Sequence, residues 1–124
     1  MNNDPISTLM QRRTVTISAD QTVQAAEAHL TEQGLSWAPV TGDRGELVGV
    51  ISDADLRRFN AGGGDPSTPV WRQCTYRPIT VGPETTVAAV AKLMVERRIH
   101  HVVVTGNGGI SGVVSSLDLV KLLL

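Results

Sequence analysis

The chain has 124 residues, enough for one ordinary domain or two very small ones, and with 41% hydrophobic and 19% charged residues it has the makeup of a protein that folds. A net charge of −1, from 11 basic and 12 acidic side chains, gives no field for gathering a polyanion, and Trp37, Trp71, Phe59 and Tyr76 are too few aromatic platforms for a single-strand binder, so duplex nucleic acid and acidic membranes drop out as partners. Cys74 is the only cysteine, which excludes an internal disulfide; the polar start Met1-Asn2-Asn3-Asp4-Pro5 lacks a signal-peptide pattern, and no run reaches membrane-span length, so the expectation is a cytoplasmic protein without membrane insertion.

In chain order, a lead-in Pro5-Ile6-Ser7-Thr8-Leu9-Met10 precedes a short strand through Thr14-Val15-Thr16-Ile17. Apolar residues then recur at Val23, Ala26 and Leu30, one face of a helix, with Thr22 placed to cap its first turn and Gly34 to end it. The runs Trp37-Ala38-Pro39-Val40 and Gly49-Val50-Ile51-Ser52, with the turn Gly42-Asp43-Arg44-Gly45 between them, predict a hairpin, with Pro39 suggesting an edge or strand-end position. A helix from Asp53 to about Phe59 follows, then a flexible Gly-rich linker, 61–68.

The whole pattern is then written again. A shift of 64 residues lays Pro69-Val70-Trp71-Arg72-Gln73-Cys74 on the first lead-in, Pro78-Ile79-Thr80-Val81 on the first strand, and Thr86-Val87, Val90 and Met94 on the first helix. His101-Val102-Val103-Val104 opens a second hairpin, and a helix from Ser116 to about Leu124 closes the chain. The expected fold class is therefore α/β, or α+β, with β-α-β-β-α repeats at 1–60 and 69–124. A unit of about 60 residues is marginal alone, so the repeats are expected to share a core as an intramolecular pseudo-twofold pair with clefts where they meet.

The element richest in chemistry also occurs twice: Gly49-Val50-Ile51-Ser52-Asp53-Ala54-Asp55 and Gly112-Val113-Val114-Ser115-Ser116-Leu117-Asp118. Each sits where a strand enters a helix. On one reading, Ser-x-x-Asp is a variant capping box. On the other, glycine admits a ligand closely, serine donates to a phosphate at the helix start, and the aspartate accepts both hydroxyls of a ribose. The residues alone leave both readings open.

These residues resemble the cystathionine-β-synthase (CBS) domain, whose tandem pair is called a Bateman module. The resemblance runs from Pro5 to about Leu122. It implies an adenine-nucleotide sensor whose regulatory ligand, AMP, ADP, ATP, S-adenosylmethionine or NAD, lies in clefts built from both halves. Carried over by position, Asp55 and Asp118 would hold ribose, Ser52 and Ser115 would lie beside phosphate, and Thr16 and Thr80 would line the clefts. Ser36 and Trp37 in one half, and Arg98, Ile99, His100 and His101 in the other, would flank base and phosphates. The second set carries positive charge and the first does not, so unequal sites are expected, with the phosphorylated ligand preferred where Asp55 is paired with His100 and His101. Trp37 could equally be a core or dimer-contact aromatic, and the histidines could face solvent.

No nucleophile with a base, no paired carboxylates and no metal cluster are legible among three histidines and one cysteine, so no catalytic or metal-binding residue and no catalytic cofactor is assigned. The expectation is a regulatory module rather than an enzyme, a homodimer by resemblance, acting on an unidentified protein partner. The competing class is a ligand-independent dimerisation or interaction scaffold.

Overall fold

The computed structural model describes residues 2–124 as mixed α+β, with two sheets and four α-helices. It divides into two compact units: a first spanning Val15–Pro78, and a second joining Ile79–Leu124 to the N-terminal segment through Thr14.

In the first unit, β1 (Ile17–Ser18), β2 (Trp37–Thr41), β3 (Leu47–Ser52) and β4 (Thr75–Tyr76) form one sheet in that order. β1 and β2 are parallel, and the other pairs are antiparallel. The 3,4-spaced residues Val23, Ala26 and Leu30 of α1 (Val23–Glu32) and Leu56 of α2 (Asp53–Ala61) close over Ile17, Ala38, Val40 and Ile51. Burying each of Leu30 and Leu56 contributes about 1.5–3 kcal/mol. The Thr22 hydroxyl accepts from Ala25 N at 3.1 Å, as its capping position predicts.

The second unit repeats this plan with β5 (Thr80–Val81), α3 (Val87–Arg97), β6 (His101–Gly106), β7 (Gly109–Ser115) and α4 (Ser116–Val120). Its sheet order is β5-β6-β7, over a core of Val87, Val90, Met94, Val102, Val104 and Val114. The β6–β7 turn is Asn107-Gly108, both at positive φ, the backbone of a tight hairpin whose twist matches its strands.

Each lead-in completes the core of the other repeat. Ile6 and Met10 lie in the core of the second unit, and Val70 and Cys74 in that of the first. The two seats match bond for bond: Ile6 N donates to Thr85 O at 2.7 Å, and Val70 N to Gln21 O at 2.8 Å. The compact division thus differs from the repeat division read along the sequence.

Four local expectations are corrected. The Gly-rich linker is tied down, because Thr68 O and Pro66 O accept from Val23 N and Gln24 N, filling two of the orphan amides at the start of α1. The closing helix stops at Val120 and continues only as a 3-10 turn through Leu123. β4 was not foreseen, since two exposed residues carry no periodicity. Pro39 lies within β2, an interior strand, where its missing donor delays the pairing of β1. The equivalent Val103 donates to Ile79 O at 3.5 Å and β5 begins at Thr80, whereas β1 begins only at Ile17, leaving Thr16 just outside it.

Candidate functional site

Both copies of the repeated motif form complete capping boxes. At the start of α2, Asp55 N donates to Ser52 Oγ at 3.1 Å and Ser52 N to Asp55 Oδ2 at 3.2 Å. At the start of α4 the same two bonds join Asp118 N to Ser115 Oγ at 3.2 Å and Ser115 N to Asp118 Oδ2 at 2.9 Å. Both serine hydroxyls and one oxygen of each carboxylate are therefore engaged in starting a helix.

The motif glycines are explained by protein, not by ligand. A Cβ at Gly49 would lie 2.4 Å from Thr75 O, and one at Gly112 would lie 2.8 Å from both Gln11 O and Met10 Sδ. Thr75 pairs with Val50, and Gln11 bridges Val113, so each glycine makes room for the lead-in seated on its sheet. This replaces the reading in which glycine admits a phosphate.

The second carboxylate oxygens distinguish the two copies. Asp55 Oδ1 is paired with Arg58 on the same helix, an exposed ion pair of little energetic weight. Asp118 Oδ1 instead accepts from Gln11 Nε2 at 3.1 Å, across 107 positions of sequence, and Asp118 is only 6% exposed. Gln11 and Arg58 were not singled out from the sequence. Arg58 could have been, by its three-residue spacing from Asp55; Gln11 gives no such signal, because only the exchanged lead-in brings it there.

Within each unit the flanking residues gather around the local box. Trp37 pairs with Ser52 across the β2–β3 ladder, and Ser36 O accepts from Asp53 N at 2.9 Å. In the second unit His101 pairs with Ser115, His100 O accepts from Ser116 N at 2.8 Å, and His100 Nδ1 lies 3.5 Å from Ser116 Oγ. Burial and then the neighbouring His100 push the His101 pKa below its ordinary value, with the Asp118 charge opposing them. An incoming anion would favour the protonated ring. Ile99 packs against the core of the second unit. Among the described residues, Thr16, Thr80 and Arg98 make no hydrogen bond to either carboxylate.

Arg98 ends α3 in the left-handed region, at φ 53° and ψ 46°. The equivalent residue after α1 is Gly34, at φ 65°. Ile99 N donates to Met94 O and Leu35 N to Leu30 O, so both helices finish with the same reversal, one with arginine where glycine is favoured. Among the described residues, no group of three or more His, Cys, Asp and Glu is placed to hold a metal ion, and no helix is long and apolar enough to cross a membrane.

Fold and doubled junction together define a tandem-repeat α+β protein. The chain matches the CBS domain family over residues 6–62 and 71–124 and belongs to it, as a tandem pair of CBS domains. A curated relative, the inosine-5'-monophosphate dehydrogenase of Korarchaeum cryptofilum, is 34% identical over 109 residues, 87% of this chain and 22% of the relative. The chain spans less than half the length of the first curated relatives it matches, between 22% and 43%. A structure of an uncharacterized conserved protein from Pyrococcus horikoshii superposes with a TM-score of 0.88 at 27% identity, covering 99% of this chain and 94% of that one. A CBS domain protein from Pyrobaculum aerophilum, solved in complex with AMP, gives a TM-score of 0.85 at 30% identity, covering 93% and 89%.

Proposed function

We propose that this CBS pair is a regulatory module that binds adenine nucleotides, AMP foremost, with the ribose taken by the motif aspartates and the phosphate by the histidine end of the second unit. The observation that carries the reading is the constellation at Asp118: a nearly buried carboxylate, oriented by Ser115 N and Gln11, with His100 and His101 beside it. One oxygen of Asp118 accepts from Ser115 N and the other from Gln11 Nε2, which orients a two-oxygen acceptor edge that suits a vicinal diol. The likeness to the relative solved with AMP supports the same ligand class. Asp55 has Ser36 and Trp37 at its capping box where the second unit has His100 and His101, so, in the reverse of the asymmetry expected from the resemblance, it is assigned the weaker, less phosphate-dependent site. A reducing cytoplasm suits the buried Cys74 thiol, whose pKa burial raises above its ordinary value.

The test is calorimetric titration of AMP and adenosine into wild type, Asp55→Asn and Asp118→Asn; asparagine retains an acceptor for the cap. Asp118→Asn is expected to weaken AMP about tenfold and to erase most of its advantage over adenosine, with Asp55→Asn affecting both ligands alike. Equal losses in both variants would refute the assignment.

A second reading, a ligand-independent scaffold that self-associates, is favoured by one observation: Val95 of α3 and Leu117 and Val120 of α4 are apolar and exposed, Val95 at 78%. A thermal-shift series separates the two, because a ligand that binds only the native state raises its melting temperature.

A further inference from the structure

The seat of Gln11 is built with more precision than a surface amide needs. Gln11 N donates to Val113 O at 2.8 Å and Gln11 O accepts in return from Val113 N at 3.0 Å, two residues before the capping serine of α4. Gly112, having no Cβ, lets the backbone of Gln11 seat closely against the sheet. Ile6 and Met10 anchor the segment in the core of the second unit, and Arg12 Nη2 closes it on Ser7 O at 2.9 Å. The side chain is therefore delivered to Asp118 by a fixed backbone, with little entropy left to lose.

The geometry at the other acid supplies the contrast. Arg58 has only donors, so its pairing with Asp55 uses carboxylate capacity and returns none. Gln11 uses one lone pair of Asp118 Oδ1 through Nε2 and carries an acceptor, Oε1, on the same amide, which takes no hydrogen bond among the described residues. A sugar edge at Asp118 thus meets a carboxylate and an amide oxygen side by side. At Asp55 it meets a carboxylate and a cation.

We propose that Gln11 is the sugar-selecting residue of the Asp118 site, aligning the carboxylate with Nε2 and accepting a ribose hydroxyl with Oε1, so that ribonucleotides are preferred over their 2'-deoxy forms. This rests on the adenosine-binding reading above and adds a residue and a specificity to it. Two hydroxyls satisfied by three acceptor positions lose more on removal of the 2'-oxygen than two hydroxyls sharing one carboxylate, because the vacated amide oxygen is left facing the ligand.

The experiment measures AMP and 2'-deoxyAMP affinities by calorimetry in an Asp55→Asn background, with Gln11 intact and as Gln11→Leu and Gln11→Asn. With Gln11 intact, AMP is expected to bind more tightly than 2'-deoxyAMP. Gln11→Leu is expected to weaken AMP about tenfold while leaving 2'-deoxyAMP within about threefold, collapsing the preference. Gln11→Asn, which keeps the amide on a shorter arm, retains part of it and reports even if the leucine variant folds poorly. Unchanged discrimination in Gln11→Leu, or tighter AMP binding there because Gln11 had merely blocked the acid, overturns the proposal while the nucleotide reading stands. Failure of AMP to bind wild type at all, or binding in the Asp55→Asn background that survives Asp118→Asn, overturns the nucleotide assignment itself.

Discussion

Arg98 separates a backbone effect from a charge effect at one position, because its left-handed conformation and its guanidinium act through different atoms. An L-residue held there costs about 1–2 kcal/mol that glycine does not incur. Arg98→Gly recovers this but enlarges the conformational freedom of the unfolded chain, which takes back about 0.4–1 kcal/mol. Arg98 is exposed and its backbone N–H already bonds to Val95 O, so no packing or backbone hydrogen bond is lost. The net expectation is a gain of about 0.5–1 kcal/mol, a rise of about 2–5 °C in melting temperature for a chain of this length. Arg98→Ala keeps the strain and removes the charge, so it should leave the melting temperature unchanged. Both variants should weaken AMP by the same factor, about threefold if the guanidinium faces phosphate in water. The assay is differential scanning calorimetry of all three proteins, with AMP titrations beside it. If Arg98→Gly melts at or below wild type, arginine is not strained there and the comparison with Gly34 fails as an argument.

Gly49→Ala should destabilise by about 3 kcal/mol in urea denaturation, since its Cβ meets a backbone oxygen at 2.4 Å; Gly112→Ala should lose less, because part of its obstruction is the flexible Met10 side chain. His101 has a folded-state pKa below its ordinary 6.5, so the unfolded chain binds the extra proton first: its contribution to stability is complete above about pH 6.5 and is lost as pH falls toward the folded value. Melting temperatures between pH 7.5 and 5.5 should fall less in His101→Gln than in wild type, and parallel curves would remove His101 from the explanation. Leu117→Glu should convert a self-associated species to monomer by light scattering without changing the melting temperature of the monomer, as expected for an exposed side chain.

Most of the fold was legible because duplication prints each signal twice. Val23, Ala26 and Leu30 at helical spacing and Val87, Val90 and Met94 in register with them exclude coincidence, and both helices form where that spacing places them. What was not legible depends on contacts distant in sequence. Pro5 and Pro69 mark the lead-ins, but nothing local to Ile6 says that it belongs with Val87 rather than Val23. The roles of Gly49 and Gly112 were hidden for the same reason, since the backbone that crowds them arrives from the exchanged lead-in. At the site, the alternatives of cap and ribose acid could not be separated from sequence because one geometry serves both, and the structure shows the cap fully formed in each copy. Gln11 was invisible because its position gains chemistry only from the chain crossing that brings it to Asp118.

That exchange also bears on why the two halves persist as a pair. Ile6 and Val70 are fully buried, each at the equivalent place in a core whose residues, apart from Met10 and Cys74 of the same lead-ins, come from the other repeat. Removing one such side chain from a well-packed core costs about 2–5 kcal/mol, a large share of what a unit of this size possesses. Neither repeat, cut from the chain at the Gly-rich stretch, retains the segment that fills its own core and covers its own motif glycine. The lead-in therefore couples two things in one strip of backbone: the stability of a unit and, through Gln11, the posture of its acid. A change that loosens the seat of Ile6 and Met10 must also free the amide that holds Asp118, so stability of the second unit and affinity at the proposed sugar site should fall together, whereas Asp55, held by Arg58 on its own helix, has no such link.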